Sequence, residues 1–413
     1  MARADTAEDP RRWRLLAVVA VGELLAMAPW FSASAVAPSL VIEWHLDRLG
    51  LPALAIGVQV GFAVGALALA VTAAADVLPA GRLFAAGAWL AAVANLGFAY
   101  VAHDAASALP FRVLTGLAMA GVYPIGLKLL AGWFRRERGL AIGVLVGALT
   151  IGSALPYLLR AVGASQGLDW RASIALASVS GAVGGLIVLV GSAAGPWDVQ
   201  APRFSIDVAR SAFRSPAVRL ANIGYLGHMW ELYAMWTWVP LFLTASFTAA
   251  GVADANRASL AAFLVVGAGG AGCVVAGLLA DRLGRTLVTI TAMAMSGTSA
   301  IGVGFLFGSA PAITLFLCLV WGVTVVADSA QFSTAVSELA PPGTAGSALA
   351  IQTAVGFLLT GVTIAGVGLI GPTDGTGWRV AFSALALGPL VGIVAMSRLR
   401  RRPEARLLAN GHR

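Results

Sequence analysis

Twelve apolar runs, each about 20 residues or longer, limit this chain more than any other feature. A run of that length suits a helix that crosses a bilayer. Lipid leaves a spanning backbone only helices or closed barrels, because every N–H and C=O must be bonded internally. The expectation is an all-α membrane protein with twelve transmembrane helices. The predicted spans are 14–41, 52–74, 82–103, 106–133, 139–160, 171–194, 217–245, 257–280, 286–308, 311–338, 345–370 and 378–397. Composition agrees: 11% of residues are charged, against about a quarter in a soluble domain. The start, Arg11-Arg12-Trp13-Arg14 and then an apolar run, imitates a signal peptide. That run is too long for one, contains Glu23 and has an internal copy.

The internal copy sets the domain plan. Glu23–Trp30 (ELLAMAPW) recurs 208 residues later as Glu231–Trp238 (ELYAMWTW), with glutamate, leucine, alanine, methionine and tryptophan in register. Trp170-Arg171 before the sixth span recurs as Trp378-Arg379 before the twelfth. A duplication of six spans predicts two pseudo-symmetric six-helix bundles related by an axis along the membrane normal. The bundles are 14–194 and 217–397. Between them lies a polar linker, 195–216, with Pro196, Pro202, Pro216, Arg203, Arg210 and Arg214. Residues 1–13 and 398–413 are the tails.

Of the 27 basic residues, an N-in topology puts twenty on the cytoplasmic face, among them Arg3, Arg82, Arg136, Arg138, Arg282 and Arg413. Only Arg48, Arg160, Arg171, Arg257 and Arg379 fall outside. Both termini are therefore expected in the cytoplasm. The same distribution explains the net charge of +8 without a nucleic-acid partner. Cys273 and Cys318 lie within spans and form neither a disulfide framework nor a metal pattern. Gly267–Gly272 fits G-x-G-x-x-G, but it sits inside an apolar span and not between a strand and a helix. No catalytic motif and no cofactor site is expected, so the chain does not read as an enzyme.

Six ionisable residues lie well inside spans: Glu23, Arg112, Lys128, His228, Glu231 and Asp328. They fall only on the first, fourth, seventh and tenth spans. A charge in lipid costs several kcal/mol unless it faces a partner or water, so these spans should surround a polar cavity. Glu231, with His228 one turn earlier, reads as a proton relay or as a static pair. Glu23 reads as a proton carrier or substrate contact, or as the counter-ion of Arg112. Arg112 suits an anionic solute. Asp328 reads as assisting proton coupling, and Gln331, on the same stripe, as a solute contact. Lys128 reads as a snorkelling lysine, with a substrate contact as the alternative. Trp30 and Trp238 each lie two turns from a buried glutamate and should face the cavity, where they and Tyr233 would stack on a flat solute.

Gly277-Leu278-Leu279-Ala280-Asp281-Arg282-Leu283-Gly284-Arg285 matches G-x-x-x-D-R-x-G-R in full, between the eighth and ninth spans. Arg112-x-x-x-Gly116 lies in the fourth span. In these motifs the chain resembles the major facilitator superfamily of secondary transporters, over essentially its whole length. The resemblance implies alternating access between two six-helix bundles, with spans one, four, seven and ten around the cavity. It also implies a gating motif at Asp281, Arg282, Gly284 and Arg285. The first-half copy is degraded: Asp76 and Arg82 survive, two residues too far apart. The fifth span lacks the glycine–proline pairing of many proton-linked exporters. The expected function is proton-coupled uptake (symport) of a small organic solute by a monomer in a bacterial cell inner membrane. A proton-antiporting exporter and a non-transporting substrate sensor are the alternatives.

Overall fold

Pro29 and its neighbours break the first span. In this computed structural model, which describes residues 9–135, 137–198 and 204–412, α1 (Arg11–Ala26) ends in a turn through Met27–Phe31. Helices α2 (Ser32–Ala35) and α3 (Ala37–Glu43) complete the crossing. The topology and linker residues Arg3, Arg136, Pro202, Arg203 and Arg413 lie outside the described residues, as does the side chain of Arg138.

The second span is α4 (Gly50–Thr72), followed by a short α5 (Ala74–Val77). The third is α6 (Ala80–Tyr100). The fourth is again broken, into α7 (Ala105–Met119) and α8 (Tyr123–Trp133). The fifth and sixth are α9 (Arg138–Ser165) and α10 (Trp170–Gly191). A linker helix, α11 (Ile206–Ala212), leads into the seventh span, α12 (Pro216–Ala249). Then come α13 (Ala255–Leu283) and α14 (Arg285–Phe305). The tenth span is broken into α15 (Pro311–Ala327) and α16 (Ser329–Leu339). The eleventh is α17 (Ala345–Ile370), and the twelfth is α18 (Gly375–Leu385) with α19 (Leu387–Arg400). A 3₁₀ turn over Pro403–Gly411 ends the described chain.

The fold is all-α, with the expected twelve spans in two bundles. Among the described residues, ten spans are long and apolar enough to cross a membrane by length and composition. The first falls short because its break leaves α1 only 16 residues. The seventh has length, but its interior carries Asn222, His228, Glu231 and a run of Tyr and Trp. Helix starts follow the caps: Asp104, Asp169, Asp254 and Asp374 each accept from a backbone N–H one turn on.

The duplication shows in the packing. A Cβ on Gly116 of the fourth span would strike the Val58 carbonyl of the second. Likewise, a Cβ on Gly322 of the tenth would strike the Val265 carbonyl of the eighth. Small residues allow this backbone approach, which is how helices associate where lipid is as apolar as the side chains. The halves meet along two helix pairs. Helix α9 lies on α13, with a Cβ at Gly147 only 3.0 Å from the Gly270 carbonyl. Helix α4 lies on α17 through Phe62 and Phe357, whose ring centroids are 4.3 Å apart. Gly267–Gly272 is thus mid-helix packing surface in α13, which leaves no room for a dinucleotide loop.

Candidate proton and solute site

The break in the first span frees carbonyls inside the membrane, and Arg112 of α7 answers them. Its Nη2 donates to the Trp30 carbonyl at 2.5 Å, and Nη1 donates to the Pro29 carbonyl at 3.2 Å. Nη1 also reaches Asn95 Oδ1 at 3.1 Å and Ser32 Oγ at 3.3 Å, and Nε the Leu54 carbonyl at 3.5 Å. One guanidinium, 1% exposed, therefore ties the broken turn to the second and third spans. Irregular backbone at membrane depth needs such partners. Glu23 is not its counter-ion, which corrects the paired reading. Nor does Arg112 present free donors to an anion in this conformation, since all three nitrogens already bond within the protein.

Glu23 is fully buried, and neither carboxyl oxygen has a hydrogen-bond partner among the described residues. Its Oε2 lies against Gly126 of α8, where a Cβ would collide with it. Glu231, its repeat partner, is fully engaged. Oε1 accepts from Trp321 Nε1 at 2.7 Å, and Oε2 from Ser296 Oγ at 2.8 Å.

His228 does not pair with Glu231. Its Nδ1 lies 2.8 Å from Asp328 Oδ1, an ion-pair distance without hydrogen-bond alignment. Asp328 stands where the tenth span breaks, between α15 and α16. The expected cavity is closed: Glu23, Arg112, His228, Glu231 and Asp328 are each at most 2% exposed.

Aromatic rings fill the seam between the halves. Trp30, Phe31 and Phe62 come from the first half, and Tyr233, Trp236 and Phe357 from the second. Tyr233 stacks on Trp30 and on Phe31, with centroids 6.1 and 6.0 Å apart. Trp236 meets Phe31 edge-on at 5.5 Å. The indole N–H groups of Trp30 and Trp236 are buried without partners among the described residues.

Trp238 is not at the seam. Its Nε1 donates to the Ile364 carbonyl at 3.2 Å, and its ring packs on Trp378 within its own half. The stripe that joins Glu231 to Trp238 is real, but it faces the interior of the second bundle. The neighbouring stripe, Tyr233 and Trp236, faces the first. Trp30 escapes the same fate because it lies within the break itself, off the helical register that carries Glu23. Sequence reasoning also missed Asn95, Ser296, Phe62 and Phe357. The two polar residues are uncharged, so a census of ionisable groups passes over them. The two phenylalanines are mid-run aromatics of facing spans, which is the one available signal.

Two further residues belong elsewhere. Lys128 Nζ pairs with Asp76 Oδ1 at 2.6 Å and also donates to the Ala75 carbonyl, so it braces the loop after the second span and does not reach the seam. Gln331 Oε1 accepts from Arg285 Nη1 at 2.9 Å. Arg285 is bidentate to Glu338 at 2.7 and 2.8 Å and lies 3.6 Å from Asp281. Asp281 abuts Gly139 at the start of α9, and Gly284 takes φ +94°, a conformation only glycine adopts readily. Arg282 and Arg82 are exposed.

Residues 19–365 match the family described as Major Facilitator Superfamily, and the chain belongs to it. It is a multi-pass membrane protein of a secondary-transporter family. Among curated proteins it is 25% identical over 190 residues to the MFS transporter asaE of Aspergillus flavus. That match spans 45% of this chain and only 40% of the relative. Among solved structures, a D-xylose-proton symporter superposes with a TM-score of 0.76 at 16% identity, covering 96% of this chain and 99% of that one. The human organic anion transporter MFSD10 gives 0.70 at 15%, covering 94% and 100%. A bacterial homologue of the human lysosomal transporter Spinster gives 0.68 at 13%, covering 95% and 96%. At such identities the likeness is one of fold.

Proposed function

We propose that the chain is a proton-coupled transporter of a small organic solute, with Glu23 as its principal proton carrier. The observation that carries this is the buried, unpartnered Glu23 carboxyl group. A carboxylate without a partner is costly inside a membrane, so the group holds a proton while the site is closed and exchanges it when the halves part. Glu231 and the His228–Asp328 pair form a second polar cluster, in the other bundle, that takes part in coupling. The solute lies in the aromatic seam. A flat or apolar body stacks between the rings, and an acceptor atom meets the Trp30 and Trp236 N–H groups. Arg112 holds the broken first span in shape. Alternating access follows from rocking of 14–194 against 217–397 about the linker 195–216. The Asp281–Arg285–Glu338 cluster and the Lys128–Asp76 pair latch the cytoplasmic side. The arginine-rich loops favour a bacterial inner membrane with both termini cytoplasmic, and a monomer suffices for the site.

The substrate class is found first, from thermal stability against a solute panel. A ligand at a hundred times its dissociation constant adds about 2.7 kcal/mol to the folded state. Proteoliposomes with an imposed pH gradient then test coupling. Glu23→Gln and Glu231→Gln abolish gradient-driven accumulation and spare solute exchange. Unchanged accumulation removes both residues from coupling. An inside-alkaline gradient that drives solute inward supports symport; one that empties the vesicles supports the antiporting exporter.

A further inference from the structure

Where α12 begins and α19 ends, Pro216, Arg219, Leu220, Ile223, Arg398 and Arg402 line a crevice of about 420 Å³. Two of its three guanidinium groups, those of Arg219 and Arg398, are exposed and have no ion-pair partner among the described residues. Arg402 is 3.2 Å from Glu404 and so is partly neutralised. The remaining lining is apolar. Ile223 is 41% exposed, and Val391 and Val394 extend the same outward surface down α19 at 53% and 44%. That surface faces acyl chains in a bilayer. The arginines stand at the end of the apolar runs 217–245 and 378–397, at headgroup depth.

We propose that this crevice binds one anionic phospholipid, its phosphate held between Arg219 and Arg398 and one acyl chain lying along Ile223 and Val394. Charge and shape agree on this occupant. Two unpaired guanidinium groups match a phosphate by bidentate bonding. An apolar wall continuous with the lipid-facing surface suits an acyl chain and not a free ion. The linker helix α11 and the linker arginines Arg210 and Arg214 are close in sequence but do not line the crevice.

Native mass spectrometry of the full-length protein, titrated with phosphatidylglycerol or with phosphatidylcholine of the same chains, tests the site. The expected result is one tightly held phosphatidylglycerol that phosphatidylcholine does not displace. Arg219→Gln/Arg398→Gln weakens it about thirtyfold, the ordinary juxtamembrane contribution of two arginines. Arg219→Lys/Arg398→Lys keeps the charge and recovers part of the affinity, which guards against a folding defect. Arg210→Gln/Arg214→Gln, outside the crevice, leaves the affinity unchanged. Equal loss in that control would mean a diffuse charge effect and overturn the site. So would equal retention of the two lipids, or inorganic phosphate protecting the protein as well as the lipid does.

Discussion

Glu231 Oε1 accepts from the Trp321 indole at 2.7 Å, which fastens the seventh span to the tenth at a carboxyl group. Ser296 holds the other oxygen from the ninth span. The glutamate is thus a junction of three helices, all in one bundle. Trp321→Phe keeps the ring and removes the donor. We expect a loss of about 1–3 kcal/mol in stability, the cost of stranding a buried acceptor. We also expect a displaced pH profile of transport. A melting curve and a pH series of uptake check this, and an unshifted profile would reduce Glu231 to a structural group.

Gly126→Ala places a methyl group on the Glu23 carboxyl. Overpacking of this kind costs about 1–3 kcal/mol. Glu23→Ala in the same chain removes the obstacle. The double variant should therefore melt higher than Gly126→Ala alone, and equal melting would show that Glu23 does not occupy this place.

Arg112→Leu leaves the carbonyls of Pro29, Trp30 and Leu54 without this donor. We expect a destabilisation of about 1–3 kcal/mol, with or without solute, the cost of stranding the buried Trp30 acceptor; Pro29 keeps the Ser32 hydroxyl and Leu54 its donor within α4. A solute clamp would behave differently: the apo protein would melt normally and only ligand stabilisation would vanish.

Outside the membrane, Glu43 joins α3 to α10. Its carboxylate accepts from Arg171 at 2.6 and 3.2 Å and from the Trp170 indole at 2.6 Å. Those bonds, Arg171 first, hold its pKa below the ordinary carboxylate value. A depressed folded-state value means that the stabilisation is present above the unfolded pKa and is lost as pH falls through the folded one. Melting of the wild type should therefore drop on acidification below about pH 4 more than that of Glu43→Gln. Parallel curves would refute the contribution.

The apolar runs made most of the fold legible, because lipid forces long apolar segments into helices whatever their neighbours are. The breaks in the first, fourth and tenth spans were not legible in the same way. They persist where other helices supply partners, as Arg112 does for the turn after α1, and such partners appear only in three dimensions. The charge census led to helices that carry buried polar groups, yet it paired those groups wrongly, and Lys128 lies with Asp76 away from the seam. Spacing along one helix joined His228 to Glu231, whereas the actual partners come from α14, α15 and the break after α15. Trp238 shows the further limit. Periodicity groups residues on a face but does not say whether that face looks into its own bundle or across to the other.

The glycine contact between α9 and α13 has a mechanical consequence. Interlocked side chains act as teeth: they allow only discrete settings and resist a change between them. Gly147 meets Gly270 backbone on backbone, so in the proposed rocking one bundle would pivot here over few teeth, chiefly the Ile151 side chain seated on Gly270. On the proposed mechanism, the resistance to turnover would then sit in the aromatic seam and the cytoplasmic ion-pair clusters. Fitting a tooth with Gly147→Leu should slow turnover while the binding of solute from one side persists.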